Sequence, residues 1–291
     1  MTAAVNIEGI DVSRYQGVID WPEVARSGCR FAFCKATDGL SRVDPTFELN
    51  WPGIREAGLL RGAYHFGHPG LDPIRQAEFF VRTVGPLSAG DLPLVLDIES
   101  DDRKSQPEIA RWVSQFVSTI TVLSGREPII YTYTPFWNTH VNLPTLGQLP
   151  LWVARYGGRE PQMPRGWDRF AFWQYTGEGA CAGVRGRVDR NRFNGSEDEL
   201  RLLAGLPGLP LEPLPRLLRL SSPMLRGPDV RELQNALHHL GKLDSSAVDG
   251  IFGPMTERAV RSLQRAHHLP EDGKVGPRTR ALISRLLAEK G

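Results

Sequence analysis

The run Leu92-Pro93-Leu94-Val95-Leu96-Asp97-Ile98-Glu99-Ser100 is where the architecture of this chain first shows. Leu94, Val95 and Leu96 are apolar without alternation, the pattern of a strand covered on both faces in a parallel sheet, and the strand ends in two carboxylates. Side chains alternate along a strand, so Asp97 and Glu99 share one face and Ile98 takes the other, which puts the two acids roughly 6.5–7 Å apart at Cα. Carboxylates that close cannot both ionise freely, and one pKa rises. A proton-holding acid beside a charged partner is what glycosidic bond cleavage requires. The competing reading is a strand end whose acids cap the next helix or bind an ion.

Outward from this strand, short apolar strands alternate with helical segments through the first half of the chain. Strands are expected at 7–12, 31–37, 60–66, 94–99, 128–134, 151–156, 170–175 and 188–193. Helices are expected to open at Trp21-Pro22-Glu23, to cover about 45–57, to run from Asp72-Pro73 to Val84, and to cover 106–123. The last of these puts Ile109, Trp112, Val113, Phe116, Val117, Ile120 and Leu123 on one helical face. Connections between the last three strands are rich in Gly, Pro and Arg and have no helical period. Eight strands with βα units in front predict a TIM-like α/β barrel, whose site lies at the C-terminal strand ends. Asp11, Lys35, Tyr64, Asp97, Glu99, Tyr133, Gln174 and Asp189 fall at or near such ends. A doubly wound open sheet is the alternative, because periodicity alone does not prove closure.

A length of 291 residues suits one large domain and a small one. The hydrophobic fraction of 41%, the charged fraction of 23% and the net charge of +2 are ordinary, and argue neither for nor against a nucleic-acid partner. No nucleic-acid motif is present, so no such partner is expected. No apolar run approaches ~18 residues, so no membrane insertion is expected, and the first residues lack the pattern of a Sec-type signal peptide. Cys29, Cys34 and Cys181 are odd in number and lack CxxC or metal spacing, so buried thiols are expected rather than a disulfide framework. His238-His239 and His267-His268 invite a zinc reading, but no Cys or acid stands at ligand spacing. Exposed helix histidines are expected there, and no metal or cofactor. His65 and His68 read equally as structural residues or as ligands.

Seven segments resemble, in order, successive motifs of the glycoside hydrolase family 25 muramidases. They are Gly9-Ile10-Asp11-Val12-Ser13-Arg14-Tyr15-Gln16-Gly17, Lys35-Ala36-Thr37-Asp38-Gly39, Gly62-Ala63-Tyr64-His65-Phe66, Leu96-Asp97-Ile98-Glu99, Trp152-Val153-Ala154-Arg155-Tyr156, Trp173-Gln174-Tyr175-Thr176 and Val188-Asp189-Arg190-Asn191. The resemblance covers roughly residues 6–196. It implies a (β/α)5(β)3 barrel that hydrolyses the β-1,4 bond between N-acetylmuramic acid and N-acetylglucosamine in peptidoglycan. Asp11, Asp97, Glu99 and Asp189 carry over as the family's acids. Asp38 departs from the usual glutamate, so a contact of that longer side chain is expected to shift or be lost.

Glu99 is expected to be the general acid, with a raised pKa, and Asp97 to stay ionised. Direct nucleophilic attack needs carboxyl groups ~5–5.5 Å apart and inversion ~6.5–9.5 Å, and a strand pair straddles that boundary. The favoured route is a third one, in which the sugar's 2-acetamido oxygen attacks the anomeric carbon while Asp97 orients and charge-stabilises the amide. Asp11 and Asp189 would hold the cationic transition state; inversion through a water activated by one of them is the alternative. Tyr64, Tyr131, Tyr133 and Trp152 either stack on sugar faces or fill barrel layers, as does Trp173. Lys35 would balance the acids' charge, and Gln174 would bind an acetamido group or a neighbouring backbone.

Beyond Ser196 the texture changes. Leu206-Pro207-Gly208-Leu209-Pro210-Leu211-Glu212-Pro213-Leu214-Pro215 reads as a stiff linker, which divides the chain into 1–196, a linker at 197–215, and 216–291. In the last part Val230, Leu233, Leu237 and Leu240 share a helical face. Asp249-Gly250-Ile251-Phe252-Gly253-Pro254-Met255-Thr256 is echoed by Asp272-Gly273-Lys274-Val275-Gly276-Pro277-Arg278-Thr279, each a turn feeding a helix. The region resembles the peptidoglycan-binding-1 domain, a three-helix module. Its 13 Lys and Arg against 8 Asp and Glu would suit an anionic wall, or form a solvated basic face.

Together these readings describe a monomeric, two-part lytic enzyme with bacterial peptidoglycan as partner. A phage endolysin is expected, released from the host cytoplasm during lysis or exported by a non-Sec route. The alternatives are a bacterial autolysin, a chitinase-like glycosidase and a non-catalytic wall-binding protein.

Overall fold

The structure, a computed structural model, describes residues 7–207, 217–267 and 269–290. The chain divides into two units, one ending at Gly205 and the other beginning at Leu206.

In the first unit the strands are β1 (Ile7–Val12), β2 (Phe31–Asp38), β3 (Arg42–Val43), β4 (Leu60–Phe66), β5 (Val95–Asp97), β6 (Ile129–Thr132), β7 (Leu151–Ala154), β8 (Phe172–Gly179) and β9 (Val188–Phe193). Parallel pairing runs from β1 through β2, β4, β5, β6 and β7 to β8. β9 then pairs antiparallel with both β8 and β1 and closes the barrel, while β3 only hairpins onto β2. Closure excludes the open sheet.

Helices α1 (Trp21–Arg26), α2 (Phe47–Glu56), α3 (Pro73–Val84) and α4 (Gln106–Ser124) follow the early strands. A short α5 (Thr134–Phe136), continued by a wide turn over Trp137–Val141, follows β6. No helix joins β7 to β8 or β8 to β9, so the unit is a (β/α)5(β)3 barrel. Local chemistry sets the helix ends. Asp72 accepts from the Arg75 amide at 3.0 Å with Pro73 next in the chain, and Gly125, at φ 70°, stops α4. The buried face of α4 is the expected one except at Leu123, which is 47% exposed in the last turn.

Strand parity sorts the core into two layers. Leu94, Leu96 and Ile98 join the layer between strands and helices, whereas Phe31, Phe33, Val95, Ile129, Tyr131, Trp152, Phe172 and Phe193 fill the barrel interior. Phe33 stacks on Trp152 at 4.4 Å and meets Phe172 edge-on at 5.1 Å. That filling needs two strand residues without side chains: a Cβ at Gly9 would stand 2.5 Å from the Phe31 ring, and one at Gly62 would stand 2.2 Å from Phe33.

The barrel extends past the expected boundary. Residues 197–203, placed in the linker by the sequence reading, form α6 (Glu197–Leu203), with Leu200 and Ala204 buried in the interior cluster. The Gly90 amide donates to the Ala204 carbonyl at 2.9 Å, and Arg126 donates to that of Leu203, which puts α6 at the N-terminal ends of β5 and β6. The Ser196-x-x-Glu199 capping box was the overlooked signal; there the Glu199 carboxylate accepts from the Ser196 amide at 2.6 Å. Residues 208–216, the heart of the expected linker, lie outside the described residues.

The second unit has α7 (Pro228–His239), α8 (Pro254–Ala266) and α9 (Pro277–Lys290) around Leu218, Val230, Leu233, Leu237, Phe252, Val260, Leu263, Val275 and Ile283. The repeat is structural as well as sequential. Gln234 on α7 donates to Asp249, the Ile251 carbonyl and Thr256, and accepts from the Gly250 amide. Gln264 on α8 does the same with Asp272, Lys274, Thr279 and Gly273. One glutamine per copy therefore clamps each turn to the helix before it. His238 and His239 each bond a backbone carbonyl through Nδ1 at 2.9 Å, and His268 lies outside the described residues.

Candidate active site

The acids converge at one rim of the barrel. Asp11 is the next-to-last residue of β1, and Asp97 ends β5 on the inner face that Val95 begins. Glu99 continues the same parity two residues on, while Ile98 faces the helices. β9 runs against its neighbours, so its first residues lie at the rim where the parallel strands end, and Asp189 pairs directly with Asp11. The reversed strand is why an acid near a strand start belongs to this ring.

A hydrogen-bonded floor supports Asp11. Its Oδ2 accepts from Gln174 Nε2 at 2.9 Å and from Asn191 Nδ2 at 2.8 Å. The Gln174 carbonyl oxygen in turn accepts from the Tyr131 and Tyr156 hydroxyls, each at 2.9 Å, and Asn191 Oδ1 accepts from Trp152 Nε1 at 2.8 Å. Asp97 has no such support: its Oδ1 is sealed from solvent without a hydrogen-bond partner. A buried acceptor left unsatisfied is costly, and such groups cluster where function holds them.

Burial and mutual repulsion act together on the protons. Burial first, then Glu99, holds the Asp97 pKa well above the carboxylate range, with Lys35 opposing and Asp11 adding. Burial and then Asp189 raise Asp11, against its bonds from Asn191 and Gln174. Glu99 is raised by loss of water and by Asp189, against Lys35, and burial brings Asp189 to about 6. Burial and mutual repulsion thus raise both members of the pair, so Asp97 and Glu99 together hold a proton more readily than free carboxylates do.

The other predicted residues divide by position. Tyr64 faces the ring, its phenol pushed up by burial and then by Asp11, Asp97 and Asp189. Tyr133 is 37% exposed at the end of β6. Trp152 (1% exposed), Gln174 (3%) and Tyr131 (8%) are enclosed beneath the acids, so they position those acids and offer no face for a sugar to stack on. Trp173 is also buried, with its indole nitrogen bonded to the Arg155 carbonyl at 2.8 Å. Asp38 pairs with Lys35 at 2.8 Å, His68 at 3.1 Å and Arg42 at 3.7 Å. His68 continues to Asp102 at 3.3 Å, and His65 is buried, bonded to Thr37 and Gln76, with its pKa lowered to about 4 by burial.

The comparisons with known proteins bear on the same residues. Residues 10–184 match the glycosyl hydrolases family 25 and residues 226–283 a putative peptidoglycan binding domain. YegX of Escherichia coli O157:H7 is 43% identical over 206 residues, which is 68% of this chain and 74% of that protein. The chain belongs to glycoside hydrolase family 25. Lysozyme M1 of Streptomyces globisporus is 37% identical over 209 residues, 68% of this chain and 71% of its own. The crystal structure of a bacterial lysozyme from Streptomyces coelicolor superposes with a TM-score of 0.66 at 36% identity, covering 70% of this chain and 98% of that one. The first unit is thus a glycoside hydrolase of the lysozyme class, and the second a peptidoglycan-binding module.

Within this family 25 barrel, sequence reasoning missed Asn191 and Tyr156 as site residues. Asn191 was legible as the next inward-facing position after Asp189 on the same strand. Tyr156 was not, because it lies beyond the end of β7 in a loop. Gly177 shows how tightly that loop is set: a Cβ there would stand 3.1 Å from Asp189 Oδ1 and 3.4 Å from the Tyr156 hydroxyl.

Proposed function

We propose that the chain cleaves the β-1,4 bond between N-acetylmuramic acid and N-acetylglucosamine in peptidoglycan, with Glu99 as general acid and the substrate's own 2-acetamido group as nucleophile. The observation that carries this reading is the buried, unpartnered Oδ1 of Asp97 beside Glu99. Asp97 keeps 6% of its surface open, and an acetamido N–H that hydrogen-bonds its carboxylate as the side chain turns toward the sugar favours the ionised form. The shared proton is thereby driven to Glu99, which faces the leaving glycosidic oxygen with the proton it must donate. The ionised Asp97 turns the amide so that its carbonyl oxygen attacks the anomeric carbon. Asp11, Asp189 and Tyr64 then surround the developing positive charge.

Digestion of purified peptidoglycan by the wild type and by Glu99→Gln, with mass spectrometry of the products, tests this. The wild type should release muropeptides with reducing-end muramic acid, and Glu99→Gln should lose on the order of 10²-fold or more in kcat/KM. Reducing-end glucosamine, cleavage of chitin in preference to peptidoglycan, or an unimpaired Glu99→Gln would count against the assignment. Asp97→Asn should fall comparably, and a glycan lacking the N-acetyl group should remain intact.

The biological setting we favour is that of a phage endolysin. A hydrolase joined to a wall-binding module, with no helix among the described residues long and apolar enough to cross a membrane, suits an enzyme let onto the wall by a separate membrane-opening event. Cells expressing the chain should stay intact until their membrane is permeabilised and then lyse. Lysis without that step would favour an exported autolysin.

A further inference from the structure

Cys29 and Cys181 are 152 positions apart in sequence, yet their sulfurs lie 3.9 Å apart. Cys29 lies two residues before β2 begins at Phe31, and Cys181 lies in the turn between β8 and β9, with exposures of 1% and 7%. Ser27 Oγ stands 3.8 Å from one sulfur and 3.5 Å from the other. The two segments are already fastened, because the Asp20 amide donates to the Gly183 carbonyl at 2.9 Å. That approach is close enough that a Cβ on Gly183 would stand 2.4 Å from the Asp20 carbonyl oxygen. Bringing the sulfurs to a bonded separation of about 2.05 Å therefore needs side-chain rotation and small adjustment rather than a new path for the backbone.

We propose that Cys29 and Cys181 close to a disulfide when the chain meets an oxidising environment, and that this bond pins the turn leading into Asp189. Peptidoglycan lies outside the reducing cytoplasm, where disulfides persist. The oxidant is a low-molecular-weight disulfide. Cys181, its thiol lowered to about 6 by the Cys29 hydrogen bond against burial, attacks as thiolate, forming a mixed disulfide and releasing one small thiol. Cys29 then gives up its proton and attacks the Cys181 sulfur, which expels the second small thiol. Two protein thiols become one S–S bond, and the small disulfide leaves as two thiols that carry the two protons. Cys34, buried on β2, stays reduced.

The test is to equilibrate the full chain with oxidised glutathione and titrate its thiols after denaturation. The titre should fall from the three of the sequence to one. A non-reduced peptide map should show the Cys29 and Cys181 peptides joined. The oxidised protein should melt about 5 °C or more above the reduced one, a difference that Cys29→Ala and Cys181→Ser each abolish. Three thiols remaining after prolonged oxidation, a link involving Cys34, or oxidised protein melting no higher than reduced protein would overturn the proposal. Because thiol titration and mapping use the wild type, they decide the matter even if a variant fails to fold.

Discussion

Asp91 and Asp97 are both buried and bracket a single strand, yet their protons behave in opposite ways. Burial alone would raise Asp91, but Arg61 at 2.6 Å, Arg55 at 2.8 Å and the Ser88 amide at 2.9 Å outweigh it and lower its pKa. Asp97 has no equivalent partners and is raised. The N-terminal end of the barrel thus neutralises its buried acid with arginines, whereas in the proposed mechanism the buried acid at the C-terminal end is kept for substrate. Asp91→Ala should destabilise the fold by about 3–5 kcal/mol in denaturant unfolding, because it leaves Arg61 buried without its charge partner, while the folded fraction keeps its activity. For Asp97 the linkage has the opposite sign. A carboxylate with a raised folded pKa binds more protons folded than unfolded, so its contribution to stability is full below the unfolded pKa and is lost as pH rises through the folded one. Asp97→Asn should therefore melt higher than the wild type at neutral pH, by a few degrees, with the gain shrinking as the pH approaches 4, even as activity is lost. With Glu99 as the proposed general acid, the alkaline limb of kcat/KM should report its proton. Asp189→Asn removes a charge that raises Glu99 and should move that limb to lower pH; Lys35→Met removes one that lowers it and should move the limb to higher pH.

Among the elements, a strand pleat and a repeated turn do most of the organising. Gly62 on β4 pairs with Phe33 on β2, and Gly62→Ala should cost about 1–3 kcal/mol in thermal or denaturant unfolding because the ring has little room to retreat. In the second unit Gln264→Leu leaves the Gly273 amide and Asp272 without their clamp and should cost about 1–3 kcal/mol, with the helices retained by circular dichroism. Elements of this kind were readable in the chain. β1, β4 and β9 begin and end at the residues their alternation and flanking turns predicted, and Asp97, Glu99 and Asp11 were visible as acids at strand ends. Closure of the barrel was not readable, because pairing of β9 with β1 is a contact between sequence ends that no local period encodes. Nor was the difference between touching substrate and supporting the acids. Trp152 and Gln174 alternate in register with the acids, and only their depth shows that they form the floor beneath them. α6 escaped notice because the Pro-rich run after it dominated the local composition.

At the scale of the whole molecule, two units share one chain, and each has a hydrophobic core of its own. The substrate is an insoluble polymer, so rate depends on how long the barrel stays near uncut bonds as well as on the acids. A linked binding module turns each later encounter into a local one, with an effective concentration that a free barrel lacks. Removing residues 206–291 should therefore leave hydrolysis of small soluble glycan fragments near wild-type rates and slow the clearing of intact walls by roughly 10-fold or more at low enzyme concentration. Pelleting with purified walls should show the same split: the second unit alone sediments and the barrel alone largely stays in solution. Raising the salt concentration separates two causes of that attachment. If the basic surplus of the second unit holds the wall by charge, binding should weaken across the physiological range, since exposed charges are screened beyond about 8 Å at 0.15 M. Binding that survives salt would instead place recognition in the sugar and peptide contacts of the module. Equal loss on soluble fragments and on walls would mean that the second unit supports the barrel itself, contrary to the separate cores.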